Sequence, residues 1–482
     1  MEISPKSLET LFSPRSVAVI GASDSFRKWG FGVFSRLLKG GGSYRVYPVN
    51  KTAAKVLGLK AYQRVSDIPD EVELAVLVIP PSFVPEAMKD CVIKGVRTAL
   101  VITAGFREIG PEGAALESEM LRIAGKGGIR VVGPNCNGHF HTGSHLFTTG
   151  GLEIKSGPIS LISQSGNFGG FIVSQGTQKG IGFDKYVSSG NEADLIFEDY
   201  LEFLGDDPGT RIICGYVEGF KDGKRFFNLA QKISRKKPII ILKAGRTPEG
   251  AGAARSHTGS LSGSAPIHDA VFRQAGVIQV EKVDEMLDVA SALIRQPLPR
   301  GKRVGIVTAG GGFGVVAADA CRRLGLEVPT LSQETIEGLN RFMESRWSHS
   351  NPVDMAGDAY LSTPTLGTML KSNDVDAVLA VSCLGFVSSS PDSVPEKYRK
   401  EFIQYQQDTV KGEKGLMEGL IQRVEKYQKP LIVAAVSDPA RSGAIATLID
   451  NGIYPYRTPE DGARVLAYLV NYADYLTGGE HS

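Results

Sequence analysis

The chain has 482 residues, about three times a common domain length, which predicts two to four domains rather than one core. Its 42% apolar and 22% charged residues exclude a disordered chain, and Lys+Arg 54 against Asp+Glu 52, with no long run of either sign, gives nucleic-acid binding no support. Glycine is the outlier: 57 residues, about 12% against a usual share near 7%, clustered without a three-residue period, which excludes collagen and points to many tight turns.

Five cysteines, Cys91, Cys136, Cys214, Cys321 and Cys383, show no C-x-x-C spacing, so neither a disulfide framework nor a zinc ribbon is indicated and a reducing compartment fits. The first residues, MEISPKSLETLFSPRS, lack a basic stretch followed by an apolar one, and no apolar run nears the roughly 18 residues of a membrane span. The expectation is a soluble cytoplasmic protein.

In chain order, SVAVIG (16–21), RVYPVN (45–50), LAVLVIP (74–80), TALVITAGF (98–106) and IRVVGPN (129–135) read as strands, with PSFVPEAMKDCVIKG (81–95) and PEGAALESEMLRIAGKG (111–127) as helices among them. This is the rhythm of a doubly wound parallel sheet, whose ligands collect at the carboxyl ends of the strands. A second series starts at PISLISQSGN (158–167) and runs through RIICGYVEG (211–219) and KPIIILKAGR (237–246) to helix-like sequence over 265–295. RQPLPRGKR (295–303), with two prolines and four basic residues, reads as a linker. A third series has strands in RVGIVTAGGGFGVVAADAC (303–321), DAVLAVSCLG (376–385) and KPLIVAAVS (429–437). Three α/β domains are expected, over 8–142, 150–295 and 302–475.

Several loops have the residue types for anion chemistry. Gly21, Ala22 and Ser23 follow the first strand and precede a helix, so small residues let backbone N–H groups approach a phosphate. The G-x-G-x-x-G spacing is missing, and the second strand ends in Asn50-Lys51 where NAD binding wants a carboxylate; Lys51 suits a nucleotide with an extra phosphate, NADP or coenzyme A. Ser163-Gln164-Ser165-Gly166-Asn167 opens another helix and forms either an anion cradle or an ordinary N-cap. No G-x-S-x-G elbow marks a serine nucleophile. Thr308 to Gly314 (TAGGGFG) is either a third cradle or a close helix–strand packing site.

GRTPEGAGAARSHTGSLSGS (245–264) carries five glycines and almost no large apolar side chain, with His257 in its middle. A mobile loop that presents one imidazole suits a nucleophile able to take a phosphoryl group, and Glu218, at a strand end of the same sheet, is the best placed acidic partner. His139, His141 and His145 (HFHTGSH), read as a strand-end loop, match no zinc spacing, and no metal is expected there.

The ordered set GAS (21–23), VYPVN (46–50), TAGF (103–106), GPNC-x-G (133–138), SQSGN (163–167), SSGNEAD (188–194), YVEG (216–219), KAGRT (243–247), SHTGSL (256–261) and TAGGGFG resembles the NDP-forming acyl-CoA synthetases. These include ADP-forming acetyl-CoA synthetases and are distant relatives of succinyl-CoA synthetase. The resemblance runs from about residue 8 to 475 in the family's own order, and implies a Rossmann-like CoA-binding domain followed by two flavodoxin-like domains.

The resemblance further implies the reversible conversion of acyl-CoA, phosphate and ADP to carboxylate, CoA and ATP, through an acyl phosphate and a phosphohistidine. By motif, His257 would carry the phosphoryl group, Glu218 would orient its ring, and Ser165, Gly166 and Asn167 would hold phosphate. Gly21, Ala22, Ser23, Pro48, Lys51, Pro80, Ala104 and Gly105 fall where the family binds coenzyme A. An ATP-grasp module, which lone-acting members carry, is missing, as is a Walker A pattern. The chain therefore resembles an α subunit whose Mg-ADP/ATP site lies on an ATP-grasp β subunit, in an α2β2 heterotetramer. A non-catalytic CoA or acyl-CoA sensor of the same fold and an NADP-dependent oxidoreductase are the competing readings. The acyl group, ATP against GTP and the direction of the reaction stay open.

Overall fold

In a computed structural model, the described residues are 6–151, 153–250, 252, 265–384, 391–435 and 442–478. The chain divides into two compact units, Met1–Met286 and Leu287–Ser482. In the first, a short helix α1 (Lys6–Phe12) leads into a five-stranded parallel sheet of β1 (Ser16–Ile20), β2 (Arg45–Val49), β3 (Leu74–Leu77), β4 (Thr98–Val101) and β5 (Arg130–Val132). Its order is β2-β1-β3-β4-β5. Every residue of β1, β3 and β4 is buried, as β-branched strands covered by helices on both faces require. The helices are α2 (Trp29–Gly40), α3 (Val84–Lys94) and α4 (Pro111–Lys126).

The turn after β1 works only with glycine. Gly21 has φ +97°, and a Cβ there would lie 2.5 Å from the Val78 carbonyl oxygen; one on Gly30 of α2 would lie 1.9 Å from the Gly21 oxygen. Paired glycines thus let α2 rest directly on the strand end. Asn50 completes the turn: its Nδ2 donates to the Ala22 carbonyl (2.8 Å), while its Oδ1 accepts from the Thr52 and Ala53 amides (3.0 and 2.9 Å).

The second sheet has seven strands: β6 (His139–His141), β7 (Leu146–Phe147), β8 (Ser156–Ser163), β9 (Phe183–Ser188), β10 (Ile212–Val217), β11 (Ile239–Lys243) and β12 (Ile278–Val280). The order is β12-β11-β10-β8-β9-β6-β7, parallel except where β6 joins β9 and β7. Helices α5 (Gly166–Gln178), α6 (Phe197–Asp206), α7 (Gly223–Ser234) and α8 (Ala265–Ala275) accompany it, followed by α9 (Val283–Arg295), in which the two units part. One buried cluster joins the two sheets, taking in Val19, Leu100 and Val132 from one and Ile162, Val187 and Ile213 from the other.

Three sequence expectations change here. HFHTGSH is a β-hairpin rather than a loop: His139 is buried and its Nε2 donates to the Leu11 carbonyl (2.7 Å), His141 Nδ1 donates to the Phe12 carbonyl (2.9 Å), and burial pushes the His139 imidazole down to about 4. Strand β9 has no counterpart among the predicted strands because Asp184 and Lys185 break its apolar run. Both are nevertheless buried: Lys185 Nζ pairs with Asp184 (2.7 Å) and Asp207 (2.8 Å). Helix-like sequence over 265–295 is two helices with β12 between them.

In the second unit, β13 (Val304–Thr308), β14 (Val353–Asp354), β15 (Ala377–Val381) and β16 (Leu431–Ala434) form a parallel sheet in the order β14-β13-β15-β16. The expected linker is pinned down. Gln296 is buried and its amide pairs with both the N–H and the carbonyl of Leu431, at 3.0 Å each, while Arg303 binds Asp376 (2.8 Å). At the TAGGGFG turn, a Cβ on Gly314 would come within 3.2 Å of Thr308 and 3.1 Å of Pro352, so this glycine serves close packing.

Candidate active site

Loops from the first two sheets meet around a cavity of about 440 Å³. The carboxyl ends of β3 and β4 contribute Val78 to Pro81 and Ile102 to Ala104; the turn from β8 into α5 contributes Gln164 to Asn167. Asn135 to Asn137 and Gly190-Asn191 complete the wall, and Trp29, 58% exposed, stands at the start of α2. The cavity thus sits at the carboxyl ends of strands, where parallel sheets leave backbone N–H groups and helix N-termini free to face a ligand.

Ser165 caps α5, its side chain accepting from the Phe168 amide (3.4 Å), and Asn167 is exposed. The first amides of a helix have no acceptor within it and carry its partial positive charge, which suits a phosphate. The helix can start here only because residue 166 is glycine: a Cβ would lie 2.5 Å from Asn137 Cβ and 3.1 Å from the Asn137 nitrogen and Ser188 Oγ. Two further bonds fix the approach, Asn137 Nδ2 to the Gly166 carbonyl (3.3 Å) and Tyr186 hydroxyl to the same oxygen (3.2 Å).

Facing the cradle, Glu108 organises the turn after β4. Its Oε1 accepts from the Gly105 and Phe106 amides (2.6 and 3.1 Å), and its Oε2 accepts from Asn191 Nδ2 (2.6 Å). Burial opposes its charge, but the bonds from Asn191 and these amides outweigh it and hold the carboxyl below the ordinary carboxylate range. Asn191 therefore ties the first-sheet loop to the loop after β9. Arg130 does the same from β5, its Nε 2.9 Å from Asp194.

Among the coenzyme-binding candidates, Pro80 and Ala104 line the cavity, with Gly105 the next residue in the same turn. Gly21, Ala22, Ser23, Pro48 and Lys51 are not among its lining residues. Ala22, Ser23 and Pro48 are buried, and Pro48 lies within β2, paired with Val19. Lys51 is exposed, its Nζ 4.5 Å from the centre of the Phe83 ring. Ser165, Gly166 and Asn167 do line the cavity. His257 lies outside the described residues.

Glu218, buried at the end of β10, is held from behind. Gln164 Oε1 accepts from the amides of Glu218 (2.5 Å) and Gly219 (3.1 Å), and Lys243 Nζ donates to the Glu218 carbonyl (2.7 Å). Burial pushes the Tyr216 hydroxyl up to about 12, and the charge and hydrogen bond of the Glu218 carboxylate push the same way. Burial likewise lowers Lys243 to about 8, against the pull of Glu218. Sequence reasoning did not single out Trp29, Asn137, Gln164, Glu192 or Asn191. Four of these sit in or beside the quoted motifs, but only the folded chain shows what their side chains touch.

The fold is that of a CoA-binding α/β domain joined to a flavodoxin-like one. The family described as CoA binding domain matches residues 15–142, and the succinyl-CoA ligase like flavodoxin domain matches 156–293. The α subunit of acetate–CoA ligase [ADP-forming] II from Pyrococcus furiosus is 40% identical over 98% of this chain and 99% of its own. The 4-hydroxybutyrate–CoA ligase [ADP-forming] of Nitrosopumilus maritimus is 33% identical over 97% of this chain and 64% of its own. A solved structure of the Ca. Korarchaeum cryptofilum dinucleotide forming acetyl-coenzyme A synthetase 1, in complex with phosphate and ADP, matches with a TM-score of 0.85, 34% identity and coverage of 98% of this chain and 99% of that one. The chain belongs to the NDP-forming acyl-CoA synthetases, as the α-subunit type of an ADP-forming acid–CoA ligase. Coenzyme A is accordingly a substrate.

Proposed function

We propose that this subunit converts an acyl-CoA and phosphate to an acyl phosphate in the cavity, then passes the phosphoryl group through His257 to ADP held by an ATP-grasp β subunit. The observation that carries this is the shared cavity: the strand-end loops of the CoA-binding sheet and the first residues of α5, Gly166 and Asn167, line one space. A thioester carbonyl presented from one side would meet a phosphate oxygen presented from the other. Attack breaks the C–S bond, forms the mixed anhydride and releases the thiolate of CoA. The imidazole of His257 then attacks phosphorus, breaking the P–O bond and releasing the carboxylate, with Glu218 orienting the ring.

Domain limits of 8–142, 150–295 and 302–475 belong to the same reading, as do an α2β2 assembly, a cytoplasmic setting and Mg-ADP on the partner. Among the described residues no helix is long and apolar enough to cross a membrane. Relatives named for acetate and for 4-hydroxybutyrate leave the acid to be found by screening carboxylates for CoA-dependent ADP release.

Incubation of the chain and its partner with Mg-ATP should give an acid-labile, base-stable phosphoryl group. Labelling that persists in His257→Ala refutes the assignment. Glu218→Gln should label more slowly while still binding CoA, and undiminished labelling removes its role.

A further inference from the structure

Gln164 lies between the cavity and Glu218, and all of its hydrogen-bonding capacity is used. Its Oε1 accepts the Glu218 and Gly219 amides at 2.5 and 3.1 Å; its Nε2 donates to the Gly219 carbonyl at 2.7 Å and to Glu192 Oε1 at 3.1 Å. Turning the amide over would set its NH2 against two backbone N–H groups and its oxygen against a carbonyl and a carboxyl, so the orientation is fixed by its partners. Gln164 and Glu192 are 6% and 4% exposed, which leaves water little room to replace a lost partner.

Glu192 is itself held in place. Its Oε1 also accepts from Ser189 Oγ at 2.7 Å, and its backbone adopts φ +52°, a conformation that non-glycine residues keep only where the surroundings impose it. The amides on either side are fixed to the first-sheet loop, Asn191 N to the Pro134 carbonyl (2.9 Å) and Ala193 N to the Gly133 carbonyl (3.0 Å). The chain of contacts thus runs from the loop after β5 through Glu192 and Gln164 to the backbone of Glu218, passing beneath the phosphate cradle that starts at Ser165.

We propose that Glu192 and Gln164 are positioning residues for phosphoryl transfer: Glu192 locks the Gln164 carboxamide, and Gln164 locks the Glu218–Gly219 backbone from which the carboxylate is aimed. The proposal rests on the Glu218 role given under Proposed function. Its electrostatic setting is mixed. Burial pushes the Glu192 carboxyl up to about 7, the bonds from Ser189 and Gln164 oppose this, Glu198 on α6 adds to it and Lys221 opposes it; the buried Tyr200 hydroxyl also faces the group. Ionised Glu192 grips Gln164 through a charge-assisted bond, the stronger kind. Positioning should therefore tighten as pH rises through about 7.

The test is made on the complete α–β complex, by the rate of His257 phosphorylation from Mg-ATP and by hydrogen exchange at the Glu218 and Gly219 amides. Glu192→Ala should lower the labelling rate about tenfold or more and speed exchange at both amides. Glu192→Gln, which keeps an acceptor oxygen, should restore most of the rate while flattening its rise with pH relative to the wild type, the imidazole's own titration being common to both. In a Gln164→Ala background, Glu192→Ala should cost nothing further, because its effect passes through the absent side chain. Wild-type labelling by Glu192→Ala, unaltered exchange at the two amides, or full additivity of the two substitutions overturns the proposal. If the wild type itself does not label His257, the Glu218 reading fails, and exchange at the two amides still decides whether Glu192 fixes that backbone.

Discussion

Gly166→Ala tests the proposed phosphate cradle by one methyl group. Gly166 takes a negative φ, so alanine meets no backbone penalty and any effect is steric. Its Cβ would sit 2.5 Å from Asn137 Cβ, where carbon–carbon contacts settle at about 3.5–4.0 Å, so either α5 or the 135–137 loop must retreat by about 1 Å. Overpacking of this kind costs about 1–3 kcal/mol, and the better helix propensity of alanine returns at most about 1 kcal/mol. The larger consequence is functional, since about 1 Å of misplacement in a reacting pair is worth on the order of 100-fold in rate. Gly170 is the internal control: it lies one turn on in the same helix, and a Cβ there has only Asn137 Nδ2 for a neighbour, at 3.9 Å. Steady-state ATP formation from acyl-CoA, ADP and varied phosphate, read beside thermal unfolding, should show raised phosphate KM, lowered kcat and a lower midpoint for Gly166→Ala. Gly170→Ala should match or exceed the wild type in stability. Equal phosphate kinetics for Gly166→Ala and the wild type would show that the close approach of α5 to Asn137 does not set the cradle.

Glu192 also predicts a pH-dependent stability. Its carboxyl, raised from an ordinary 4.5 to about 7, keeps its proton in the folded chain over a window where the unfolded chain has lost it. The folded state therefore binds more protons there, and its stability falls as pH rises from about 4.5 to 7, then levels. Glu192→Gln removes that slope, so its advantage over the wild type should grow to about 3 kcal/mol between pH 5 and pH 8 in denaturant titrations; an advantage equal at both pH values contradicts the buried-acid reading. Trp29 lines the cavity while Trp347, the other of the two tryptophans, is 7% exposed in the second unit. Titration with CoA should change the intrinsic fluorescence, Trp29→Phe should abolish the change, and a full signal retained in that variant places CoA elsewhere.

The sequence by itself determined the α/β character of the chain, most strand positions and the family. The run SVAVI is buried along its whole length, as its largely apolar character implies, and motifs such as SQSGN keep their order whatever the fold does with them. It also marked Ser165, Gly166, Asn167, Pro80 and Ala104, which the fold brings into one cavity. Tertiary structure alone decided the rest. Strand β9 carries a buried Asp184 and Lys185 whose charges are neutralised by each other and by Asp207, a compensation between segments that no local apolar pattern registers. Two histidines of HFHTGSH, His139 and His141, direct ring nitrogens to α1, and His141 also reaches Asp184. Gln164 reads as one more polar residue in a turn, yet its four bonds reach Glu192, Glu218 and Gly219, as many as 55 positions away. Side-chain hydrogen bonds pair by direction and distance in space, and those are set only when the sheets have packed and the loops at their carboxyl ends have met.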